Sequence, residues 1–542
     1  MASGYIWLIY AEPLGNSTVP QKLQQAMAKP VAEKPMRRSS VGWLAALALI
    51  AIFVAGAASY FTSHKGATKG AAVPEKSIAV LPLVNSTGDP ANEYFSDGMS
   101  EEFISSLSRL QDLKVIGRTS SFQFKGKTDD SKTIGEKLGV RYLLEGSVRK
   151  SADRVRIAVG LIKSSDGASV WSDTYDRELK DIFAVQSDIA GPVAKQLKVA
   201  LLGNDGQRVE LATAATPSNQ NVVAYNALLQ GNFYYNGHTA DDNRKAIGYY
   251  EEAIRLDPRY ALAYAKLSVV ATGLAGQFGG VTKTESQEAI RKSRAAAESA
   301  LRLDPNLAEA HRAQGMLLLD IDSNLAGAER EYRRALELSP QDPSVMLNLA
   351  SLLCERGLIN EGTPLTQAAI ALDPLSSRAY ITLAVHFTAL GRYDEAEAAV
   401  RRAIALQPRA SQNYLQLAIL QILRGNAGAA VKFAKEETDP FWRTYALALA
   451  YYAHGDRTPA DVALKQLLDE DADDGATQIA VIYALRKEPE EMFKWLDRAW
   501  NAHDGGVTEI LEEPFLLAYK DDPRFIAFAQ KIGVMPQGGG KP

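Results

Sequence analysis

Hydrophobic positions along this chain follow three different rhythms. From 41 to 61 the stretch VGWLAALALIAIFVAGAASYF holds 21 residues without a charge. At 1.5 Å rise per residue such a run spans the roughly 30 Å hydrocarbon core of a bilayer, so it predicts a transmembrane helix. A signal peptide would carry a shorter apolar core nearer the start. Trp43, Tyr60 and Phe61 stand near the two ends of the run, where interfacial aromatics are favoured.

From 77 to 202 the rhythm is mixed. SIAVLPLVN and LKVIGRTSS at 113–121 are apolar runs of strand length. YLLEGSVRK, VRIAVGLIK and ASVWSDTY, separated by the turns SAD and SSDG, predict a three-stranded meander. In its middle member Val155, Ile157, Val159 and Leu161 share one face, as a period of two requires. SKTIGEKLG predicts a helix stopped by Gly139. The segment 181–202 predicts a closing amphipathic helix with Ile182, Val185, Ile189, Val193 and Leu197 on one face.

One stretch here could be taken for chemistry. YFSDGMSEEF at 94–103 sets Asp97, Glu101 and Glu102 around a glycine, but Met99, Phe103, Ile104, Leu107 and Leu110 recur at helical spacing. The acids therefore read as the start of a helix, with Asp97 or Ser96 as its cap and Glu101 and Glu102 complementing the helix dipole.

Beyond a polar linker at 203–220 the pattern is helical to about 535 and repeats itself. LSP, LDP and LQP end successive units at Pro340, Pro374 and Pro408, 34 residues apart each time, and earlier LDP turns stand at 256–258 and 303–305. In this phase Ala335, Ala369 and Ala403 fall five residues before the proline. A 34-residue period of paired helices with small residues where they touch is the signature of tetratricopeptide repeats, about eight of them, with LEEPFLLAYKDDPRFIAFAQKIG as a final cap and 536–542 as a tail. The expected architecture is a short segment 1–40, a membrane helix 41–61, a spacer 62–76, an α/β domain 77–202 and an all-α superhelix over 221–535.

The stretches SIAVLPLVNSTGDPANEYFSDGMSEEFISSLSRL, VIGRTSSFQFKG, IGEKLGVRYLLEGSVRK and DIFAVQSDIA together resemble the TolB-like domain that accompanies tetratricopeptide repeats in bacterial transmembrane signalling proteins. Relatives of that kind often carry a winged-helix, adenylate cyclase or kinase effector ahead of the membrane helix. Such a domain needs on the order of 100 residues, and about 40 precede the apolar run, so none is expected in this chain. The resemblance implies that the second, fifth, sixth and ninth residues of a repeat point into the groove. Those positions include Arg312 and Met316 in the third repeat, Asn348 in the fourth, and Arg378 and Thr382 in the fifth. Some relatives clamp a carboxylate terminus at these places; Arg312, Asn348 and Arg378 suit that role, and Met316 and Thr382 depart from it.

Composition narrows the function classes. A formal net charge of −4 over 542 residues gives no field that would draw the chain to nucleic acid, and no nucleic-acid partner is expected. Lys29, Lys34, Arg37 and Arg38 precede the apolar run and Lys65, Lys69 and Lys76 follow it, a bias that predicts a cytoplasmic N-terminus and periplasmic C-terminal domains on the inner membrane. The one cysteine, Cys354, reads as a buried small hydrophobe. Gly126-Lys127-Thr128 matches the end of a phosphate loop, but Ser121 stands where the pattern needs glycine. The six histidines are scattered, and HExxH, GxSxG triads, paired cysteines and kinase motifs are lacking. No catalytic residue, metal or cofactor is expected. The sequence predicts a non-enzymatic membrane-anchored protein that binds a protein or peptide in its repeat groove. A regulator or cyclase relative lacking its effector, or an envelope assembly factor, are the other readings.

Overall fold

The computed structural model describes residues 73–535, apart from 111–112, 152, 180–188, 190, 194–220, 277–280, 473–474 and 503. The first part is a six-stranded sheet built from β1 (Ser77–Val80), β2 (Val84–Asn85), β3 (Lys114–Val115), β4 (Tyr142–Ser151), β5 (Arg154–Lys163) and β6 (Ser169–Glu178). Its order is β3-β1-β4-β5-β6, with β2 paired to β4. β1 runs parallel to β3 and β4, while β4, β5 and β6 form the expected antiparallel meander, with Leu144 opposite Leu161 and Ile157 opposite Tyr175. Val155, Ile157, Val159 and Leu161 are buried and Arg154 and Arg156 exposed, as the alternation requires.

Helices cover both faces of this sheet. Phe95, Met99 and Phe103 of α1 (Glu93–Ser108) pack on Ile78, Val80, Leu144 and Ile157. Ile134 and Leu138 of α3 (Ser131–Leu138) pack with Ala79, Ile116 and Leu143 on the opposite face. Full burial of each such side chain contributes roughly 1.5–3 kcal/mol. α3 is capped by Asp130, which accepts from Thr133 N, and ends at Gly139 in the left-handed region at φ 63. The run 113–121 pairs only over Lys114–Val115; Gly117 then donates its N–H to Leu372 O and the chain turns into α2 (Arg118–Phe122). Of the closing segment 181–202, Ile189 and Val193 are buried in the α1-side core, and Ile182, Val185 and Leu197 lie outside the described residues.

The capping role expected for Asp97 is corrected. α1 begins at Glu93 with Asn92 at its N-cap, so Asp97 falls in the second turn, too deep to reach the free N–H groups. It is buried, and its two carboxylate oxygens accept from Lys125 Nζ at 2.6 and 2.7 Å. Glu101 is likewise held, by Arg118 and by Asn236 Nδ2 at 3.1 Å.

Eight antiparallel helix pairs follow among the described residues: α4 (Val222–Tyr235) with α5 (Ala240–Leu256), α6 (Ala261–Gly276) with α7 (Lys283–Leu303), α8 (Ala308–Asp320) with α9 (Leu325–Leu338), and α10 (Pro343–Glu355) with α11 (Ile359–Leu372). Then come α12 (Ser377–Ala389) with α13 (Tyr393–Leu406), α14 (Asn413–Leu423) with α15 (Ala427–Glu436), α16 (Pro440–His454) with α17 (Arg457–Glu470), and α18 (Ala476–Arg486) with α19 (Pro489–Ala502). Two 3-10 turns, Gly505–Leu511 and Leu517–Tyr519, and α20 (Pro523–Lys531) end the described chain. Ala335, Ala369 and Ala403 are fully buried at the helix contacts, where the 34-residue phase puts them. Between neighbouring pairs the first helices pack on one another, α8 on α6, α12 on α10 and α14 on α12, so the array curves toward them and they form its concave surface.

The single-pass inner-membrane placement expected from the sequence is corrected. No helix among the described residues is long and apolar enough to cross a membrane, and the run 41–61 lies outside those residues. α7, at 21 residues, has the length, but it carries charged side chains throughout, including Glu285, Glu288, Arg291, Lys292 and Arg294.

Candidate functional site

The groove residues expected from the sequence lie on the first helices of the array. Arg312 and Met316 lie on α8, Asn348 on α10, and Arg378 and Thr382 on α12, so the five groove candidates come from three successive first helices. Arg312 is buried; its guanidinium donates to the two carboxylate oxygens of Glu309 at 3.0 and 2.7 Å and to Met316 Sδ at 3.5 Å. Lys266 Nζ stands 2.9 Å from the same carboxylate. Burial works against the charge of Glu309, yet Arg312 and Lys266 together hold its carboxyl well below the usual range. Arg312 is therefore already committed to a neighbour.

Arg378 is not. Its Nη2 donates to Asn348 Oδ1 at 3.0 Å, a neutral acceptor, and among the described residues it makes no ion pair within 4 Å. It reaches solvent, but it rises from the floor of a concave surface with protein on most sides, and that desolvation holds its pKa below the ordinary arginine value. Asp320, the last residue of α8, lies within its field; it reaches solvent, but the loss of water to the surrounding protein nonetheless pushes that carboxyl up to about 6. Thr382 Oγ1 donates to Arg378 O at 3.2 Å, one turn on.

The chain's end crosses this surface. The turn Gly505–Leu511 packs on α10, where Thr508 Oγ1 donates to Glu355 Oε2 at 2.9 Å across 153 residues of sequence. Val507, Ile510, Leu511, Phe515 and Leu516 are buried with Leu349, Leu352 and Leu353 of α10. Between this strap and the helices α10, α12 and α14 lies a cavity of about 210 Å³. Glu355, Glu509, Glu512 and Glu513 line it together with Thr382 and His386, and its lining holds no lysine or arginine.

The electrostatics of this cavity follow from that imbalance. Burial, and then the charge of Glu509, pushes Glu355 up to about 8. Glu509 reaches solvent at its edge, yet the protein packed around it removes enough water to raise its carboxyl to about 7; burial raises Glu513 to about 8, and Glu512 is pushed well above the carboxylate range by burial and by the charges of Glu509 and Glu355. His386 is fully buried; burial lowers its imidazole to about 4, so the ring is neutral, and its Nε2 has no hydrogen-bond partner. Cys354 is buried beside Glu512 and its thiol is pushed far up by burial, in keeping with an unreactive packing residue. No group of three or more metal-ligating side chains is placed to hold an ion among the described residues.

Sequence reasoning found Thr382 and missed the rest of this cavity. One local signal was present: Glu355 ends α10, where an acid opposes the helix dipole. That the pair Glu512-Glu513 would meet it was not legible from any periodicity.

Residues 74–191 match the family described as the HilA/YgeH-like transcriptional regulator, second domain, which covers most of the stretch that resembles a TolB-like domain. Residues 286–343 and 347–440 match the tetratricopeptide repeat. A curated relative, "Putative adenylate cyclase 3" of Rhizobium meliloti (strain 1021), is 38% identical over 217 residues. That match covers 40% of this chain and 36% of the relative, so the chain spans about a third of the relative's length. Among solved structures, the pilus biogenesis factor PilW is 22% identical over 38% of this chain and 93% of its own, with a TM-score of 0.32. YrrB, described as a repeat protein with an unusual peptide-binding site, is 17% identical over 40% of this chain and 97% of its own, with a TM-score of 0.27. The chain thus joins an α/β region similar to the second domain of HilA-like regulators to an all-helical tetratricopeptide superhelix.

Proposed function

We propose that this chain is a non-enzymatic interaction protein that holds a segment of a partner protein in the concave groove of its repeats. The observation that carries the reading is the alignment of Arg312, Met316, Asn348, Arg378 and Thr382 on three neighbouring first helices, with Arg378 left facing a neutral partner. Arg378 and Asn348 supply donors for a carboxylate of the bound segment, Met316 and Thr382 supply contact surface, and Arg312 with Glu309 fixes the shape of the floor. The matches to a HilA-like second domain and to a protein named as an adenylate cyclase support a second, compatible reading. In it, this α/β-plus-repeat part, with the TolB-like kinship that its sequence suggests, is the partner-binding portion of a signalling protein.

A photo-crosslinking amino acid placed at Met316 or at Thr382 should capture one and the same protein, through a single short segment. The same probe at Arg401, exposed on α13, should not capture it. Equal capture from all three positions would place recognition elsewhere, and Arg378→Ala should weaken capture at Met316 without lowering the melting temperature.

A further inference from the structure

Four carboxylates converge on the cavity under the C-terminal strap, and no lysine or arginine among its described lining residues answers them. Structural ion pairs are plentiful elsewhere in the array, Arg333 with Glu329 and Glu361 for example, so this imbalance is local. A second, independent observation lies in the wall of the same cavity. His386 is fully buried, and its Nε2 is a polar atom without a partner, a costly arrangement unless something supplies one. Position argues the same way. Asp320 and Glu355 are the last residues of α8 and α10, so two successive first helices end on the concave side with an acid where the dipole favours a base. A group that satisfies the carboxylates and the imidazole of the cavity is a cation with several donors.

We propose that this cavity receives the ammonium of a lysine side chain carried by the partner segment that lies in the groove. The inference rests on the groove reading above and adds the chemistry of one residue of the ligand. The three donors of an ammonium suit carboxylates that approach from different directions, Glu355 from α10 and Glu509, Glu512 and Glu513 from the strap, with neutral His386 Nε2 as a further acceptor. Ile381, Val385 and Ile419 line the cavity and give the methylene stem an apolar wall. Carboxyls raised toward neutrality give up their protons as the ammonium enters, so the pair forms without leaving charge unmatched. The groove is then bipolar: Arg378 faces an acidic group of the segment, and the strap cavity a basic one.

The test uses the full chain and a blocked pentapeptide with lysine at its centre and alanine elsewhere, titrated by calorimetry or chemical-shift perturbation. The lysine peptide should bind at least about tenfold more tightly than the same peptide with acetylated lysine, and more tightly than its arginine counterpart. Glu355→Gln and Glu512→Gln should each weaken it roughly fivefold or more while retaining the fold. Should Glu512→Gln not fold, Glu509→Gln, at an exposed position of the strap, serves in its place. Equal affinity for the acetylated or the arginine peptide, or parental affinity in folded Gln variants, overturns the proposal. Capture at Met316 that persists with no lysine-peptide binding refutes this inference alone, whereas loss of that capture refutes the groove reading on which it rests.

Discussion

At Glu355 a single side chain shows how burial converts into a pH response. Its carboxyl ordinarily titrates at 4.5 and is raised to about 8 in the fold, and the charged groups facing it are Glu509 and Glu512 of the strap and Asp320 of α8. Between those two values the folded chain keeps a proton that the unfolded chain has lost, so stability from this group is full at acid pH and declines as pH rises toward about 8. Glu355→Gln removes the titration and keeps an acceptor for Thr508. Melting temperatures from about pH 5 to about pH 9 should therefore fall less for the variant than for the parent, a gap on the order of 1–3 kcal/mol at the alkaline end. Parallel curves would show that Glu355 titrates normally. Asp97 teaches the complementary lesson about legibility. Its helix was readable from Met99, Phe103 and Leu107, but the start of that helix was not, because the Asp89-capped turn at Pro90–Asn92 leads into it and moves its N-cap to Asn92, five residues before Asp97. An acid near a helix start can be a cap or a buried ion-pair member, and only Lys125, 28 residues away, decides which.

Within each helix pair, packing is set by volumes that answer one another across the contact. A Cβ on Gly315 of α8 would stand 2.5 Å from Tyr332 Cε1 of α9, and one on Gly231 of α4 would stand 2.4 Å from Tyr250 Cε1 of α5. Where the second helix offers a smaller residue, as Val400 of α13, the first helix carries alanine, Ala384 of α12. Gly315→Ala should therefore cost about 1–3 kcal/mol despite its gain in helix propensity, because the fully buried Tyr332 ring cannot give way. Gly248→Ala in α5 meets nothing within 4 Å and should stabilise by up to about 1 kcal/mol. Chemical denaturation of the two variants should move in opposite directions, and a common direction would refute the volume argument. The 34-residue phase made Ala335, Ala369 and Ala403 legible because prolines aligned them. The glycine-tyrosine contacts escaped notice because the residue that faces this small position changes along the array, from Tyr250 and Tyr332 to Val400.

Across the whole molecule the α/β region and the repeats are joined by contacts that the repeat motif itself conceals. Tyr225 and Leu229 of α4 complete the core on the α1 side of the sheet, and Leu375, from the turn after α11, completes the other. Asp257, Asp304 and Asp373 all belong to LDP turns and look equivalent in sequence. In the fold Asp257 and Asp304 accept from backbone N–H groups two residues on, at 3.0 Å each, whereas the Asp373 carboxylate accepts from Ser120 N at 2.7 Å and from Ser120 Oγ. The Ser120 hydroxyl in turn accepts from Leu375 N at 2.8 Å. A periodic residue has been given a second task by a neighbour some 250 positions away, which no periodicity can announce. Two substitutions separate the tasks. Asp304→Ala loses a local turn contact and should cost about 1 kcal/mol or less, while Asp373→Ala strips the buried Ser120 N–H of its acceptor and should cost about 1.5–3 kcal/mol. The second variant should also raise hydrogen exchange at 117–122 and 373–376 together, since both sides of the contact lose protection. If the two variants cost the same and exchange at 117–122 is unchanged, the α/β region is held by its apolar contacts alone and the shared hydrogen bonds are incidental.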